Sequence, residues 1–229
     1  MNSDVQRWFV TGTDTDVGKT VVSAALLQAA ARRGLRCAGY KPVASGSTLR
    51  EGRLYNDDAL ALQAASSLPL RYEQVNPYAF AEPTSPHIVS AEQGIPIDPR
   101  RLSAGLHDLQ RQAQWVVVEG AGGWLTPLSL AYSFERWVVA EQLPVILVVG
   151  VKLGCINHAL LSARAIVGAG VRLAGWVANQ IQAPGARHAE YLTALHALLP
   201  APCLGEIPFS PGEESRDRAA YLDLTCLLP

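Results

Sequence analysis

The chain has 229 residues, 49% of them hydrophobic and 17% charged, with 19 Lys plus Arg against 20 Asp plus Glu and a formal net charge of −1. That apolar fraction excludes a disordered chain, and the length suits one α/β domain or two small ones, either with a proper core. The balanced charge gives no general attraction to nucleic acid or to an anionic membrane surface. Cysteines 37, 155, 203 and 226 are widely spaced, form no CxxC and sit in apolar stretches. They read as reduced, mostly buried thiols of a cytoplasmic protein. The N-terminus lacks a basic segment followed by a long apolar run, so no signal peptide is expected. The longest apolar run, residues 144–151, is too short to span a membrane.

Short apolar, β-rich runs alternate with longer Ala/Leu-rich stretches. Residues 7–11 predict a first strand. Residues 19–33 predict a helix, with Val21, Ala24, Ala25, Leu27, Gln28 and Ala31 at helical spacing and Gly34 just past its end. A second strand is expected over 35–43, then a helix over 57–65 with acidic residues in its first turn. Residues 98–114 predict a helix with Pro99 at its first position. Strands follow at 115–119 and 144–149, a helix at 157–167, a strand at 173–178, a helix at 186–198 and a last strand at 205–209. Trp-Val-Val-Val and Val-Ile-Leu-Val-Val are apolar on both faces, the pattern of central parallel strands covered by helices on both sides. The expected architecture is α/β, a doubly wound and mostly parallel sheet, as one domain over residues 1–229. Residues 44–56 and 76–99 break the pattern and read as long functional or mobile loops.

The sharpest motif is Gly12-Thr-Asp-Thr-Asp-Val-Gly18-Lys19-Thr20 between the first strand and first helix. Unpaired amides at the helix start, together with its dipole, favour an anion. Gly18 lets the backbone approach a phosphate, Lys19 reaches the β/γ-phosphates and the Thr20 hydroxyl suits Mg²⁺. Gly12 lies one position early for the strict spacing, so this is a variant phosphate loop. Asp14 and Asp16 beside an anion site make sense if they face a metal or a cationic substrate.

Glu119-Gly120-Ala121-Gly122 ends a buried strand, at the sheet edge where ligands bind in such folds. A lone strand-end glutamate is ordinarily a solvated or capping group; opposite a phosphate loop it becomes a candidate for Mg²⁺. Asp58 is either a further Mg²⁺ ligand or helix-start charge complementing the dipole. Lys41 ends the second strand, where a lysine is either a solvated charge or a group that neutralises charge during phosphoryl transfer. Ser45 follows in the next loop and could hydrogen-bond a substrate. His87 and His158 have no second ligand at zinc spacing and read as structural. Asn157 reads as a helix N-cap.

Six segments together resemble the dethiobiotin synthetase family: residues 9–20, 38–46, 76–87, 118–124, 149–158 and 175–179. The first and fourth fit several phosphate-loop families; the second, third and fifth are specific to this one. The resemblance implies a phosphate-loop nucleoside triphosphate hydrolase fold and a homodimer. It implies ATP- and Mg²⁺-dependent closure of 7,8-diaminononanoate with CO₂ to a cyclic urea in biotin synthesis, through a carbamate and a carbamic–phosphoric anhydride. Lys41 and Lys19 would be catalytic. Asp16, Val17, Gly18, Lys19, Thr20, Asp58, Glu119, Gly120, Ala121 and Gly122 would hold the triphosphate end, with Thr20, Asp58 and Glu119 on the metal. Asn179 and Gln180 would face adenine, Gln180 standing where the family often has Asp, and Pro208, Phe209 and Ser210 would form a purine wall. Thr15, Lys41 and Ser45 would hold the diamine or its carbamate. Gly154, Cys155 and Asn157 of a partner subunit, with Tyr191, would take the substrate carboxylate. Residues 211–218 depart from the family, and a nucleotide contact by Glu213 or Glu214 is only an open option. A glutaminase-bearing relative is disfavoured because no catalytic triad is visible. A partitioning-type ATPase would want a lysine where Thr13 stands.

Overall fold

The computed structural model describes residues 5–210 and 217–228. Its central sheet has six parallel strands: β1 (Gln6–Gly12), β2 (Cys37–Tyr40), β3 (Trp115–Gly123), β4 (Val145–Gly150), β5 (Leu173–Asn179) and β6 (Cys203–Ile207), in the order β6-β5-β4-β1-β3-β2. The helices are α1 (Lys19–Arg32), α2 (Asp57–Ala65), α3 (Tyr72–Val75), α4 (Pro86–Glu92), α5 (Pro99–Gln110), α6 (Phe134–Ala140), α7 (Cys155–Gly168) and α8 (His188–Leu198). The doubly wound α/β architecture expected from the sequence is observed. Crossovers from β1 to β2 and from β4 to β5 run in opposite directions across the sheet, so right-handed connections put α1 and α7 on opposite faces. The strand order reverses around β1, and the carboxyl ends of β1, β3, β4 and β5 share one edge, where such sheets bind ligands.

Burial explains why these runs are strands. Every residue of β4 and of β5 is buried, and so are Trp115 to Gly120 of β3. β-branched residues buried on both faces fit a covered parallel sheet. Trp8 and Trp115 stack obliquely at 5.4 Å between centroids, and Phe9 meets Phe134 at 5.5 Å. Each such ring buries a large apolar area; the first pair joins β1 to β3 and the second joins β1 to α6. Among the described residues no helix is long and apolar enough to cross a membrane.

Several predicted boundaries move. The second strand is only Cys37–Tyr40. Lys41 N donates to Val75 O and Pro42 has no N–H to give, so the chain leaves the sheet. Val43–Ala44 instead pairs with Tyr78–Ala79 in a small separate sheet. α5 begins as expected, with Asp98 as N-cap and Pro99 first, but stops at Gln110 rather than 114. Gln114 N and Trp115 N both turn to Arg36 O, committing that stretch to β3. α7 starts at Cys155, with Gly154 as N-cap at φ 92°, so Asn157 lies inside the first turn and is not the cap. β6 sits two residues earlier than predicted, and α8 starts at His188 rather than 186. The two stretches read as loops are partly ordered: one contains the antiparallel hairpin Thr48–Arg50 with Arg53–Tyr55, the other contains α4. α6 has no counterpart in the sequence reading. Cys37 and Cys155 are buried, whereas Cys203 is half-buried and Cys226 exposed. Burial pushes the Cys37 thiol up to about 11, that of an inert core group.

Candidate active site

The loop from β1 to α1 closes on itself before it meets any ligand. Gly18 is the N-cap of α1 at φ 85°, a left-handed backbone that glycine takes without strain. A Cβ there would lie 2.1 Å from Asn179 Nδ2. Asn179, at the end of β5, donates that nitrogen to Val17 O at 2.9 Å and so pins the loop from a strand end two places away in the sheet. Val17 is fully buried beneath the loop. Lys19 Nζ donates to Asp14 O at 3.1 Å. Burial, and then the neighbouring Lys41 charge, lower the Lys19 pKa against the pull of Glu119 and Asp58. An anion in the loop would relieve that strain directly. The Asp14 carboxylate accepts from Thr15 N–H and lies 3.5 Å from Lys152 Nζ, which together hold it below the usual carboxylate range.

Beneath the loop lies a cavity of about 830 Å³. Thr15, Asp16, Gly18, Lys19, Thr20, Lys41, Ser45, Asp58, Glu119, Ala121 and Gly122, all singled out in the sequence, line it. Lys41 is only 4% exposed. Its Nζ donates to Glu119 Oε1 at 2.6 Å, Asp58 Oδ2 at 3.0 Å and Gly120 O at 3.2 Å, so each of the three ammonium protons has an acceptor. Burial works against the Lys41 charge, but Glu119 and Asp58 more than offset it and its pKa ends above the ordinary lysine value. Burial likewise raises the Asp58 carboxyl, and Lys41 outweighs it, leaving Asp58 below its ordinary value.

Glu119 is completely buried. Its Oε1 also accepts from the Thr20 hydroxyl at 2.9 Å, while its Oε2 is buried without a partner among the described residues. A buried carboxylate oxygen with nothing to accept is costly, and a hard cation beside the Thr20 hydroxyl and Asp58 would satisfy it. The described residues contain no group of three or more His, Cys, Asp or Glu side chains able to hold a metal alone. Mg²⁺ needs no such cage when one or two carboxylates and substrate phosphates share it. The oxygen donors present fit that ion.

The remaining predicted residues fall into two other places. Gln180, Pro208, Phe209 and Ser210 lie beyond the ends of β5 and β6, joined by Gln180 N to Ile207 O and Phe209 N to Gln180 Oε1. Gly154, Cys155 and Asn157 open α7 and do not line the main cavity. The Cys155 N–H is already donated to Lys152 O at 3.0 Å. Tyr191 lines a separate hollow of about 240 Å³ with Val151, Lys152, Leu153 and residues 182–188. Within one chain, therefore, this group does not meet Lys41. Glu213 and Glu214 lie outside the described residues.

Sequence reasoning marked 76–99 as a functional or mobile loop and 76–87 as family-specific, but gave no site role to the cavity's other wall, formed by Pro83, Thr84, Ser85 and Pro86 with Thr126 and Pro127. The clustered prolines of 76–99 were the available signal. It also missed two buried supports. Asn76 Nδ2 donates to Lys41 O at 2.6 Å, and Asn56, N-cap of α2, donates to Ser45 O.

The AAA domain family matches residues 6–215. ATP-dependent dethiobiotin synthetase BioD of Pseudescherichia vulneris is 64% identical over 97% of this chain and 93% of its own length. BioD 1 of Escherichia coli K12 is 62% identical over 97% and 99%. Among solved structures, the septum site-determining protein MinD complexed with Mg-ADP from Pyrococcus horikoshii OT3 superposes with TM-score 0.57 at 17% identity, covering 94% of this chain and 86% of that one. A ParA family ATPase from Chlorobium tepidum TLS gives TM-score 0.57 at 14% identity over 94% and 89%. At such identities the likeness is one of fold alone. Full-length identity to the curated relatives and the lysine–carboxylate cavity at the end of the phosphate loop converge: the chain belongs to the ATP-dependent dethiobiotin synthetase family and is an ATP-dependent ligase.

Proposed function

We propose that this chain closes 7,8-diaminononanoate and CO₂ to dethiobiotin in biotin biosynthesis, using ATP with Mg²⁺ and releasing ADP and phosphate. The observation that carries the reading is the buried Lys41 ammonium facing the phosphate loop across one cavity, in a chain so similar to named dethiobiotin synthetases. One substrate amine adds to CO₂ and loses a proton, giving a carbamate. A carbamate oxygen then attacks the γ-phosphorus as its bond to the ADP oxygen breaks. The second amine attacks the carbonyl carbon of the resulting anhydride, phosphate leaves with the C–O electron pair, a proton is lost and the urea ring closes.

The residues of this chain have separable roles in that sequence. The loop amides around Gly18 cradle the phosphates, and Lys19 offsets their ground-state charge. Lys41 meets the charge that develops on the transferring phosphoryl oxygens, an effect typically worth about 10²–10³ in rate. Thr20, Glu119 and Asp58 would hold Mg²⁺, which supplies charge neutralisation among the phosphates. Thr15 and Ser45 offer hydroxyls to the diamine or its carbamate, and Asp16 and Asp58 give the cavity negative charge that suits an ammonium substrate. Ala121 and Gly122 bring the strand end close to the reacting groups, and Gly120 orients Lys41 through its carbonyl. Asn179 stands at the base end of the nucleotide, with Pro208, Phe209 and Ser210 beside it. Gly154, Cys155, Asn157 and Tyr191 of a second copy complete the substrate site by taking its carboxylate near a helix start, which makes the homodimer the working unit.

The test is product detection. Diamine, ATP, Mg²⁺ and bicarbonate are incubated with the protein and the mixture is analysed by mass spectrometry. A product of diamine mass plus CO₂ less water, formed with one phosphate per ring, is expected. Phosphate release that ignores the diamine would overturn the proposal.

A further inference from the structure

One polar cluster is not used by these steps. It sits behind the turn of Pro208, Phe209 and Ser210 and joins three elements. Gln180 follows β5, Glu206 is near the end of β6, and His188 opens α8. The Phe209 N–H donates to Gln180 Oε1 at 3.1 Å. A backbone N–H can only donate, so the Gln180 carboxamide has one permitted orientation. Its Nε2 then faces Glu206 Oε1, at 2.6 Å. His188 Nε2 reaches the same oxygen at 2.5 Å. The His188 side chain is 18% exposed and that of Glu206 34%, so the carboxylate is partly shielded and its hydrogen bonds are charge-assisted.

Both ends of the Gln180 amide are thus bonded within the protein. Its side chain is a strut between β5, β6 and the turn. We infer that Glu206 and His188, acting through Gln180, are positioning residues that hold the 208–210 turn in place and thereby set the affinity for the nucleoside part of the nucleotide. This rests on the reading above that Asn179 and that turn form the base end. A turn already tied down at Phe209 N needs no ordering when a ligand arrives, and pre-organisation of that kind goes into affinity. The phosphate end is held by separate groups, Gly18 and Lys19 among them, and does not depend on the strut.

The full chain is titrated with ADP and with inorganic tripolyphosphate, which has phosphates but no base. Glu206→Ala is expected to raise the Kd for ADP about five- to tenfold while tripolyphosphate shifts less than about twofold. Glu206→Gln, which keeps an oxygen for Gln180 Nε2, should recover part of the loss. His188→Ala gives a smaller shift in the same direction and carries the test if Glu206→Ala does not fold. Equal loss of both ligands, or no change for ADP, overturns the inference. Photolabelling with 8-azido-ADP checks the base placement separately. Label outside the peptides holding 179–180 and 208–210 overturns that placement and the inference with it. Label within them, with ADP affinity unmoved by Glu206→Ala, overturns the strut alone.

Discussion

Replacing Lys41 by Met keeps most of the aliphatic stem and deletes the ammonium, which isolates what the charge does. In the folded protein Nζ has three acceptors, Glu119 Oε1, Asp58 Oδ2 and Gly120 O, and Glu119 has no exposure to water. Without the ammonium, Glu119 keeps, among the described residues, only the Thr20 hydroxyl as donor. Removing one partner from a buried ion pair costs about 3–5 kcal/mol, because the other charge is left uncompensated. Lys41→Met should lose that much in urea unfolding followed by circular dichroism at pH 7. Adding Glu119→Gln should return a substantial part, since the orphan charge is gone. The pH dependence has a determined sign. Lys41 titrates above its ordinary value of about 10.4, so its contribution is complete below that pH and lost as pH rises through the raised value. Asp58 titrates below its ordinary value of about 3.9, so its share is present above that pH and lost as pH falls through the lowered value. The stability gap between wild type and variant should therefore be widest between these limits and close on both sides. Turnover should fall about 10²–10³-fold with ADP still bound. A stability cost below about 1 kcal/mol would mean the pair behaves like a solvated surface pair, and the argument from burial would fail. Turnover within tenfold of wild type would remove Lys41 from phosphoryl transfer.

Thr20→Val removes the hydroxyl that bonds Glu119 and should weaken ADP binding about tenfold with Mg²⁺ present but little without it; calorimetry under both conditions decides, and equal losses would count against a metal role. Gly18→Ala forces a side chain into a left-handed backbone and onto Asn179 Nδ2, so nucleotide binding should be lost while far-UV circular dichroism stays native; normal ADP affinity would refute the close-packed loop. Lys19→Ala should raise the ADP Kd far more than it changes Lys41-dependent chemistry at saturation, measured by comparing KM and kcat for ATP. Mixing Lys41→Ala with Asn157→Ala chains should restore activity if each site spans two copies; no recovery after verified subunit exchange would argue for a site within one chain.

The sheet was legible because its central strands are apolar on both faces. β1, β4 and β5 come out within two residues at each end, and the phosphate loop follows from the strand, glycines, lysine and threonine between β1 and α1. The failures are local competitions that periodicity does not report. Pro42 ended β2 early, Gly154 took the cap that Asn157 was expected to hold, and α5 stopped at Gln110, with Gln114 N drawn to Arg36 O. In the site, Lys19, Thr20, Lys41, Asp58 and Glu119 were legible one at a time from strand-end and helix-start positions, and one cavity unites them. The wall from Pro83 to Pro86 was not, because its placement depends on α4 packing against the short strand Pro127–Ser129, a contact between irregular segments with no repeating pattern to read. Asn56 and Asn76 were missed for a related reason: a buried asparagine that satisfies backbone groups looks in sequence like any loop residue.

The two lysines of the cavity divide the work through their partners. Among the described residues Lys19 Nζ has its own loop's Asp14 carbonyl as its one bonded acceptor, and burial lowers its pKa. Phosphate oxygens entering the loop give it the counter-charge it lacks, so its contribution appears on binding. Lys41 is the reverse case, with two carboxylates and a carbonyl holding all three protons and its pKa raised. Any contact it makes to a bound phosphate must compete with Glu119 and Asp58, so its ground-state gain is small. In the proposed reaction, charge growing on the phosphoryl oxygens would tip that competition, and a cation held by Glu119 Oε2, which has no partner among the described residues, would tip it further. An interaction that strengthens only as charge develops lowers the barrier without deepening the ground state. The near-neutral chain charge, which gives no general attraction to macromolecular anions, thus conceals one cavity where opposed charges meet and where, in the proposed reaction, their balance would shift.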